Sequence, residues 1–489
     1  MPAALTTSPR RALMWSLAER YANFVLGLGS TLVLARLLTP GQVGVYSVCA
    51  AFGTMAAILR DFGVSEYLIQ ERELTREKIR AAMGVALLTA WSLGALVFVA
   101  RQPLAQYFTE PGVAQVLAVT ALHFLILPLS SPAFALMNRD LAFRELFFVQ
   151  TACNGAHAAT AVTLAWMGYG FMSLAWAPVV SVAVQTLLLA WRRPAHTFVM
   201  PALREAGAVL RFGLAYMSSR TIETIAQNVH EPVIAKAFGF PALGLFSRAV
   251  GMVEMFRNNV ADAITRVATP AFAAEHRAGR PVAQPLLHTT TVFSALSWPF
   301  FGFVALAAHE IIAVLFGPQW GAAAPLASML AVAAWPAGLY EFVPQMLSAT
   351  GHVRRRLQVS LWVSGLHIAS VLLAARFGLL AVAAASVLSG LVMLGLCAWH
   401  LRQALGLPMA ALFRAGRGSA LVALASVAAQ AAGLAGCRAL AAPALGVLVA
   451  TLAAGAVAWL LAARWLHHPA LLELVQAWQS VRGRVTAPR

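Results

Sequence analysis

Residues 35–47 read ARLLTPGQVGVYS, and residues 235–247 read AKAFGFPALGLFS. Set side by side without a gap, they match Ala35 with Ala235, Arg36 with Lys236, Gly44 with Gly244, Tyr46 with Phe246 and Ser47 with Ser247. Further upstream, Arg11 meets Arg211 and Arg20 meets Arg220 at the same offset. Each copy reads as the corner of a helical hairpin. Proline restricts the residue before it and glycine permits a tight turn, so Thr39–Pro40–Gly41 is expected to stop one helix, and Gly239 with Pro241 another. The corner is given no binding role. Six helices separate the copies, so both hairpins have the same topology, an arrangement found in transporters built from parallel repeats. The implied fold class is an all-α polytopic membrane protein. Two parallel six-helix lobes, residues 1–200 and 201–405, surround a central cleft. Residues 406–489 add two helices and a short basic tail. The joint falls in the Arg- and Pro-containing loop 192–209.

Composition points to the same class. The 489 residues are 60% hydrophobic and 11% charged, with a mean hydropathy of +0.75, whereas a soluble chain carries roughly 25% charged residues. That much apolar surface does not fit inside a water-soluble core, which excludes a secreted hydrolase, a cytosolic dinucleotide-binding enzyme and a nucleic-acid binder. Blocks of about 20 residues poor in charge run roughly over 13–37, 43–66, 80–100, 114–136, 148–168, 172–191, 210–237, 244–268, 286–315, 323–347, 358–376, 380–401, 418–437 and 443–463. They are continuous rather than alternating, so they are helices and not barrel strands. The closely coupled pairs after residue 358 leave the count at twelve to fourteen, about fourteen in the full reading.

The net charge of +17 comes almost wholly from arginine, with Lys78 and Lys236 the only lysines. With the N-terminus cytoplasmic, about two dozen basic residues fall on the inner side and about five on the outer, which orients both termini inward. Arg10–Arg11 then anchor the first helix rather than forming an export signal. A short interfacial helix is expected around Leu471–Trp478. The four cysteines, Cys49, Cys153, Cys397 and Cys437, lie far apart without ligand spacing, so no disulfide or metal site is expected.

A charged side chain within a bilayer span is costly and normally faces water or a partner. Such residues concentrate in four helices: Glu19, Arg20 and Asn23 on the first, and Arg60, Asp61 and Glu66 at the end of the second. The seventh has Arg220, Glu223, Gln227, Asn228, His230 and Glu231, and the eighth has Arg248, Glu254, Arg257, Asn258, Asn259, Asp262 and Arg266. Glu254, Asn258, Asp262 and Arg266 recur every four residues, which predicts one polar stripe. These are the first hairpins of the two halves, so they are expected to line a shared wet cleft that binds substrate.

The substrate-binding candidates are Arg20, Asn23, Arg220, Glu223, Gln227, Glu254, Arg257 and Asn258, with Glu231 and Asp262 as ion-coupling candidates. Guanidinium binds diphosphate through paired hydrogen bonds, while carboxylates and amides suit hydroxyl-rich sugars. The competing reading is internal pairing of Arg220 with Glu223, Glu254 with Arg257 and Asp262 with Arg266.

Elsewhere, His309–Glu310 reads as an interfacial pair or a proton or cation site, and Glu341 with Gln345 as a polar pair bonding between helices. Trp15, Trp91, Trp191, Trp320 and Trp465 sit near span ends, as interface anchors do. No nucleophile–base constellation or phosphate-binding glycine loop is present, and the longest outer loop, 101–113, is too short for a catalytic domain. No catalytic residue and no enzyme activity is expected.

ARLLTPGQVGVYS at 35–47, DFGVSEYLIQ at 61–70, NRDLAFR at 138–144, FGLAYMSSR at 212–220, ALGLFSRA at 242–249 and FGPQW at 316–320 together resemble the Wzx-type oligosaccharide flippases. These belong to the multidrug/oligosaccharidyl-lipid/polysaccharide (MOP) exporter superfamily. The resemblance runs from residue 10 to about 400. It implies a V-shaped, two-lobe protein of the bacterial inner membrane. Its cargo would be undecaprenyl-diphosphate-linked oligosaccharide repeat units, moved from cytoplasmic to periplasmic leaflet by alternating access for O-antigen, capsule or exopolysaccharide synthesis. It also implies no cofactor beyond coupling to an H⁺ or Na⁺ gradient. Beside the lipid-linked substrate and the bilayer, it implies a polysaccharide polymerase and chain-length machinery as partners, and no nucleic acid. Relatives that bind such lipids use cavity arginines, matched here by helix and depth at Arg20, Arg220 and Arg257. The stretch His230–Glu231–Pro232–Val233–Ile234–Ala235–Lys236 departs from the acid-then-I-G-R pattern of many relatives. That shift leaves the coupling ion open. Two other functions compete: a MATE-like drug/cation antiporter, which predicts an acidic, aromatic cavity, and a multispan polymerase or ligase, which predicts a large outer loop.

Overall fold

The structure, a computed structural model, describes residues 9–486 apart from 62, 198 and 205. Among these residues every regular element is helical. The long helices are α1 (Pro9–Leu37), α2 (Pro40–Asp61, resuming as Val64–Gln70), α3 (Arg76–Phe108), α4 (Pro111–Ile126), α5 (Phe143–Trp166), α6 (Phe171–Arg192) and α7 (Ala206–Asn228, resuming as His230–Phe238). Next come α8 (Phe240–Phe256, then a π-helical turn Arg257–Ala261 and Asp262–Arg277), α9 (Ala283–Leu315) and α10, which runs in pieces from Pro318 to Ala349. The last are α11 (Val353–Ala374), α12 (Leu379–Leu405), α13 (Met409–Ala439), α14 (Ala444–Trp465) and an end helix α15 (Pro469–Thr486). Ten of them, α2–α4, α6 and α9–α14, are long and apolar enough to cross a membrane among the described residues. Three of the remaining long helices, α1, α7 and α8, are those in which charged and amide side chains recur. The chain is a polytopic all-α protein.

Packing separates two compact units, Met1–Gly244 and Leu245–Arg489. In the first, α1 packs on α5, α3 on α4, α5 on α6, and α7 on α2 and α3. Its corner at Thr39 is built differently from expectation. The Thr39 hydroxyl accepts from Gln42 N–H at 3.3 Å, and Gln42 Oε1 accepts from Thr39 N–H at 3.0 Å, a reciprocal capping box with Pro40 as first residue of α2. Gly41 therefore lies in the helix and needs no special φ, whereas Gly239 in the second copy does turn at φ +82°. The need for glycine lies at Gly44 and Gly244. A Cβ on Gly44 would run into the Phe240 carbonyl, and one on Gly244 into the Pro40 carbonyl. The matched glycines of the repeat thus let the starts of α2 and α8 cross backbone to backbone.

In the second unit, α13 packs on α9 and α14, α9 on α10, and α10 and α11 on α12. Phe272, Leu286, Phe293, Phe342, Met346 and Leu401 form its main core. Polar ties fix α13 and α14 onto α9. The Ser419 hydroxyl donates to Thr291 O at 2.8 Å and the Trp459 indole to Ala295 O at 2.7 Å. Where α10 breaks before Pro336, the Trp335 carbonyl accepts from Gly338 N–H at 3.0 Å and from the Trp298 indole on α9 at 2.8 Å. The end helix α15 starts two residues before the expected interfacial segment and continues beyond it.

Candidate functional site

In the first unit, two of the quoted sequence motifs meet. Arg139 of NRDLAFR donates to the Leu68 carbonyl at 2.7 Å, closing the C-terminal end of the helix that carries DFGVSEYLIQ. Neighbouring Asp140 and Glu145 hold Arg193, just past the end of α6, at 2.7 and 3.3 Å. Those two carboxylates oppose the desolvation of Arg193 and raise its pKa above the usual guanidinium value. These motif residues hold helix ends together.

The binding candidates of this unit are spread along α1 and α7. Arg20 and Asn23 are half-buried, and Asn23 Oδ1 is buried with no hydrogen-bond partner. Gln227 is exposed, and Asn228 donates to the Thr224 carbonyl on its own helix at 2.8 Å. The side chains of Asp61, Arg220 and Glu223 lie outside the described residues, and with them the expected Arg220–Glu223 pair. Glu231 is largely buried. His230 Nε2 stands 3.6 Å from its Oε1, and its Oε2 is buried without a hydrogen-bond partner.

The second unit gathers its candidates more tightly. Arg257 opens the π-helical turn and reaches two carboxylates, Glu254 Oε1 at 3.3 Å one turn back and Glu341 Oε1 at 3.2 Å on α10. Glu341 is 10% exposed while Arg257 is 48% exposed, so the guanidinium is anchored from within and open on its other side. The expected Glu254–Arg257 pair forms, but as two legs of a triad. Reading Glu341 as a partner of Gln345 missed the third leg. The available signal was an acid inside an apolar span, which needs a cation somewhere in the fold.

The π-helical turn bears on the predicted stripe. A π turn closes i→i+5, and its extra residue offsets the drift of a four-residue row around a regular helix, so Glu254, Asn258, Asp262 and Arg266 stay near one face. Asn258 and Asp262 are exposed, and among the described residues Asp262 and Arg266 form no ion pair. Such turns recur at functional sites because they present side chains a regular helix would turn away.

Two further polar candidates are structural. Glu310, 8% exposed at the far end of α9, takes both Nε and Nη2 of Arg438 on one oxygen at 2.7 and 2.6 Å. Arg248 of ALGLFSRA stands over the Phe316 and Trp320 rings of FGPQW, 5.5 and 5.1 Å from their centroids. Trp320 is therefore fully buried beneath an arginine, not an interface anchor. Trp191 and Trp465 are 76% and 81% exposed, as anchors would be. The Trp15 side chain lies outside the described residues. Three of the four cysteines are buried, and all four are unpaired. Among the described residues no group of metal-ligating side chains comes together.

A family described as polysaccharide biosynthesis protein matches residues 33–325. Among curated proteins, the chain is 28% identical over 327 residues to the succinoglycan biosynthesis transport protein ExoT of Rhizobium meliloti (strain 1021), covering 66% of this chain and 65% of that one. It is 23% identical over 357 residues to the lipopolysaccharide biosynthesis protein WzxC of Escherichia coli (strain K12), covering 71% and 70%. The chain thus spans slightly less than two thirds of the first relative's length. Among solved structures, the fold matches the lipid II flippase MurJ in an inward closed conformation at a TM-score of 0.73 and 10% identity, over 94% of this chain and 100% of that one. It also matches an inward-facing MATE family multidrug transporter of the MOP superfamily at a TM-score of 0.53 and 17% identity, over 84% and 97%.

Proposed function

The chain belongs to the polysaccharide biosynthesis protein family, and we propose that it is a flippase for lipid-linked oligosaccharides. Its cargo is an undecaprenyl-diphosphate-linked repeat unit, which it carries from the cytoplasmic to the periplasmic leaflet of a bacterial inner membrane by alternating access. Both termini lie in the cytoplasm. The observation that carries this reading is the Arg257 triad. A half-exposed guanidinium on a π-helical turn offers Nη2 to a diphosphate, while Glu341 and Glu254 hold its Nε and Nη1 and keep it oriented. Arg20 and Arg220 are further candidates for the anionic head, and Asn23, Glu223, Gln227 and Asn258 for sugar hydroxyls. The relatives' names, which speak of polysaccharide biosynthesis and of transport, support the same direction.

Coupling to an H⁺ or Na⁺ gradient runs through Glu231 or Asp262. Glu231 is favoured because it is the buried carboxylate of the two. The protein makes and breaks no covalent bond of its cargo. It hands the cargo to a polymerase with its chain-length machinery.

The test is the lipid pool of a deletion strain, read by mass spectrometry with an impermeant glycan label for sidedness. Intact repeat units held on the cytoplasmic leaflet, restored to the periplasmic side by the wild-type gene but not by Arg220→Ala, are the expected result. Normal periplasmic exposure in the deletion strain overturns the reading and brings the drug/cation antiporter forward.

A further inference from the structure

In the second unit, α9, the break in α10 and the start of α13 enclose a groove of about 320 Å³. Trp298 and Leu339 line its apolar depth, and Phe413, Arg414 and Arg417 form its rim. Gly416 sits between the two arginines. A Cβ there would stand 2.8 Å from Leu339 Cδ2 and 3.1 Å from Trp298 Cη2, so the absence of a side chain brings α13 close against the groove.

Both arginines are exposed, and among the described residues neither meets a carboxylate. Arg414 Nε has only a long contact, 3.4 Å, to the Ala410 carbonyl of its own helix. These are two guanidinium groups one turn apart, and the terminal nitrogens of Arg414 are outside its one contact.

Their depth identifies what they meet. From Arg417 to Arg438 helix α13 climbs about 31 Å at 1.5 Å per residue, the thickness of a hydrocarbon core. With Arg438 tied to Glu310 at one surface, Arg414 and Arg417 lie at the headgroups of the opposite one. The groove beside them descends toward the tails. Charge at headgroup depth over an apolar slot is the profile of one ligand class, an anionic amphiphile. A groove in the first unit shows the contrast. It is larger, about 430 Å³, and is lined by Thr160, Thr163, Trp176 and alkyl side chains with no cation.

We infer that the α9–α10–α13 groove binds an anionic phospholipid of the bilayer. Its phosphate rests on Arg414 and Arg417, and one acyl chain runs along Trp298 and Leu339. Guanidinium forks hold phosphate, and a second negative or hydroxylated group favours phosphatidylglycerol over the zwitterionic phosphatidylethanolamine, as basic pockets between membrane helices do. The inference stands apart from the transport reading, which contributes only the leaflet, the cytoplasmic one.

Native mass spectrometry of the full-length protein, released from detergent with equal phosphatidylglycerol and phosphatidylethanolamine, tests it without any transport assay. The wild type should retain phosphatidylglycerol preferentially. Arg414→Gln with Arg417→Gln should weaken that retention roughly thirtyfold. Arg414→Lys with Arg417→Lys should restore part of it, and the control pair Arg354→Gln with Arg402→Gln should leave it unchanged. Equal retention in the wild type and the double glutamine variant overturns the proposal. So does displacement by inorganic phosphate alone, which would reduce the site to an anion clamp. Preference for undecaprenyl phosphate over phosphatidylglycerol also overturns it and assigns the groove to the transported lipid.

Discussion

Arg438 and Arg257 both meet glutamates across helices of the second unit, at 2.6 and 3.2 Å, with about half of each guanidinium side chain exposed. Arg438 commits two nitrogens to a single oxygen of Glu310 at the end of α9 and α13. Arg257 divides itself between Glu254 and Glu341 at a π-helical turn. The first arrangement spends the Nε–Nη2 edge on one oxygen of one buried acid. The second holds Nε and Nη1 with two acids from two directions and leaves Nη2 outside both contacts. An arginine in a bilayer span thus declares a function by the geometry of its partners, and the presence of a partner alone does not tell a lock from a binding group.

Export separates the two most strongly. Arg257→Lys keeps the charge that Glu341 needs but loses the planar fork, so export should fall at least about tenfold with membrane insertion and abundance unchanged. Arg438→Ala should do the converse. It strands the buried Glu310, a loss of about 1–2 kcal/mol once the exposure of Arg438 is discounted from the value for fully buried pairs. That should appear as a lower melting temperature with normal export per folded molecule. Reduced export from folded Arg438→Ala would erase the distinction.

The triad makes a finer prediction. Exchanging the charges of Glu254 and Arg257 would be a neutral swap for an isolated pair. Here it sets a glutamate at 257 against Glu341, so the double variant should be no better than Arg257→Glu alone in the same export assay. Recovery would show that Glu341 is not part of the unit. Arg248→Lys, which weakens a cation–π contact without stranding an acid, should cost about 1 kcal/mol, read by thermal unfolding.

The smallest effect belongs to Glu71 in the loop between α2 and α3, outside the spans. The Lys78 ammonium, hydrogen bonded at 3.0 Å, holds its carboxyl below the usual range. A depressed carboxyl contributes stability above its unfolded pKa and loses it as the pH falls through the folded value. Glu71→Gln should therefore flatten the acid limb of the stability profile slightly and leave neutral pH almost unchanged.

The helical polytopic fold was legible because composition and span length leave few alternatives, and the repeat was legible because Gly44 and Gly244 cannot carry a side chain where two backbones cross. The Thr39–Gln42 capping box was also written in the chain, but proline and glycine drew the reading toward a glycine turn that Gly41 does not make. The candidate site was only partly legible. Glu254 and Arg257 are neighbours on one helix, so their spacing revealed them. Glu341 comes from another helix 84 residues on, and no local pattern encodes that meeting. The π-helical turn is equally silent, since Arg257–Asn258–Asn259 reads as ordinary polar helix until an extra residue enters the turn.

The central claim is that this chain moves a lipid-linked oligosaccharide across a bilayer. Purified protein reconstituted into vesicles with an undecaprenyl-diphosphate glycan, read by accessibility of the glycan to an impermeant enzyme, tests it most directly. Transfer of the glycan between leaflets by the wild type, and its loss in Arg257→Lys vesicles of equal protein content, is the predicted result. Wild-type vesicles whose glycan stays on one leaflet, with and without an imposed H⁺ or Na⁺ gradient, would contradict it.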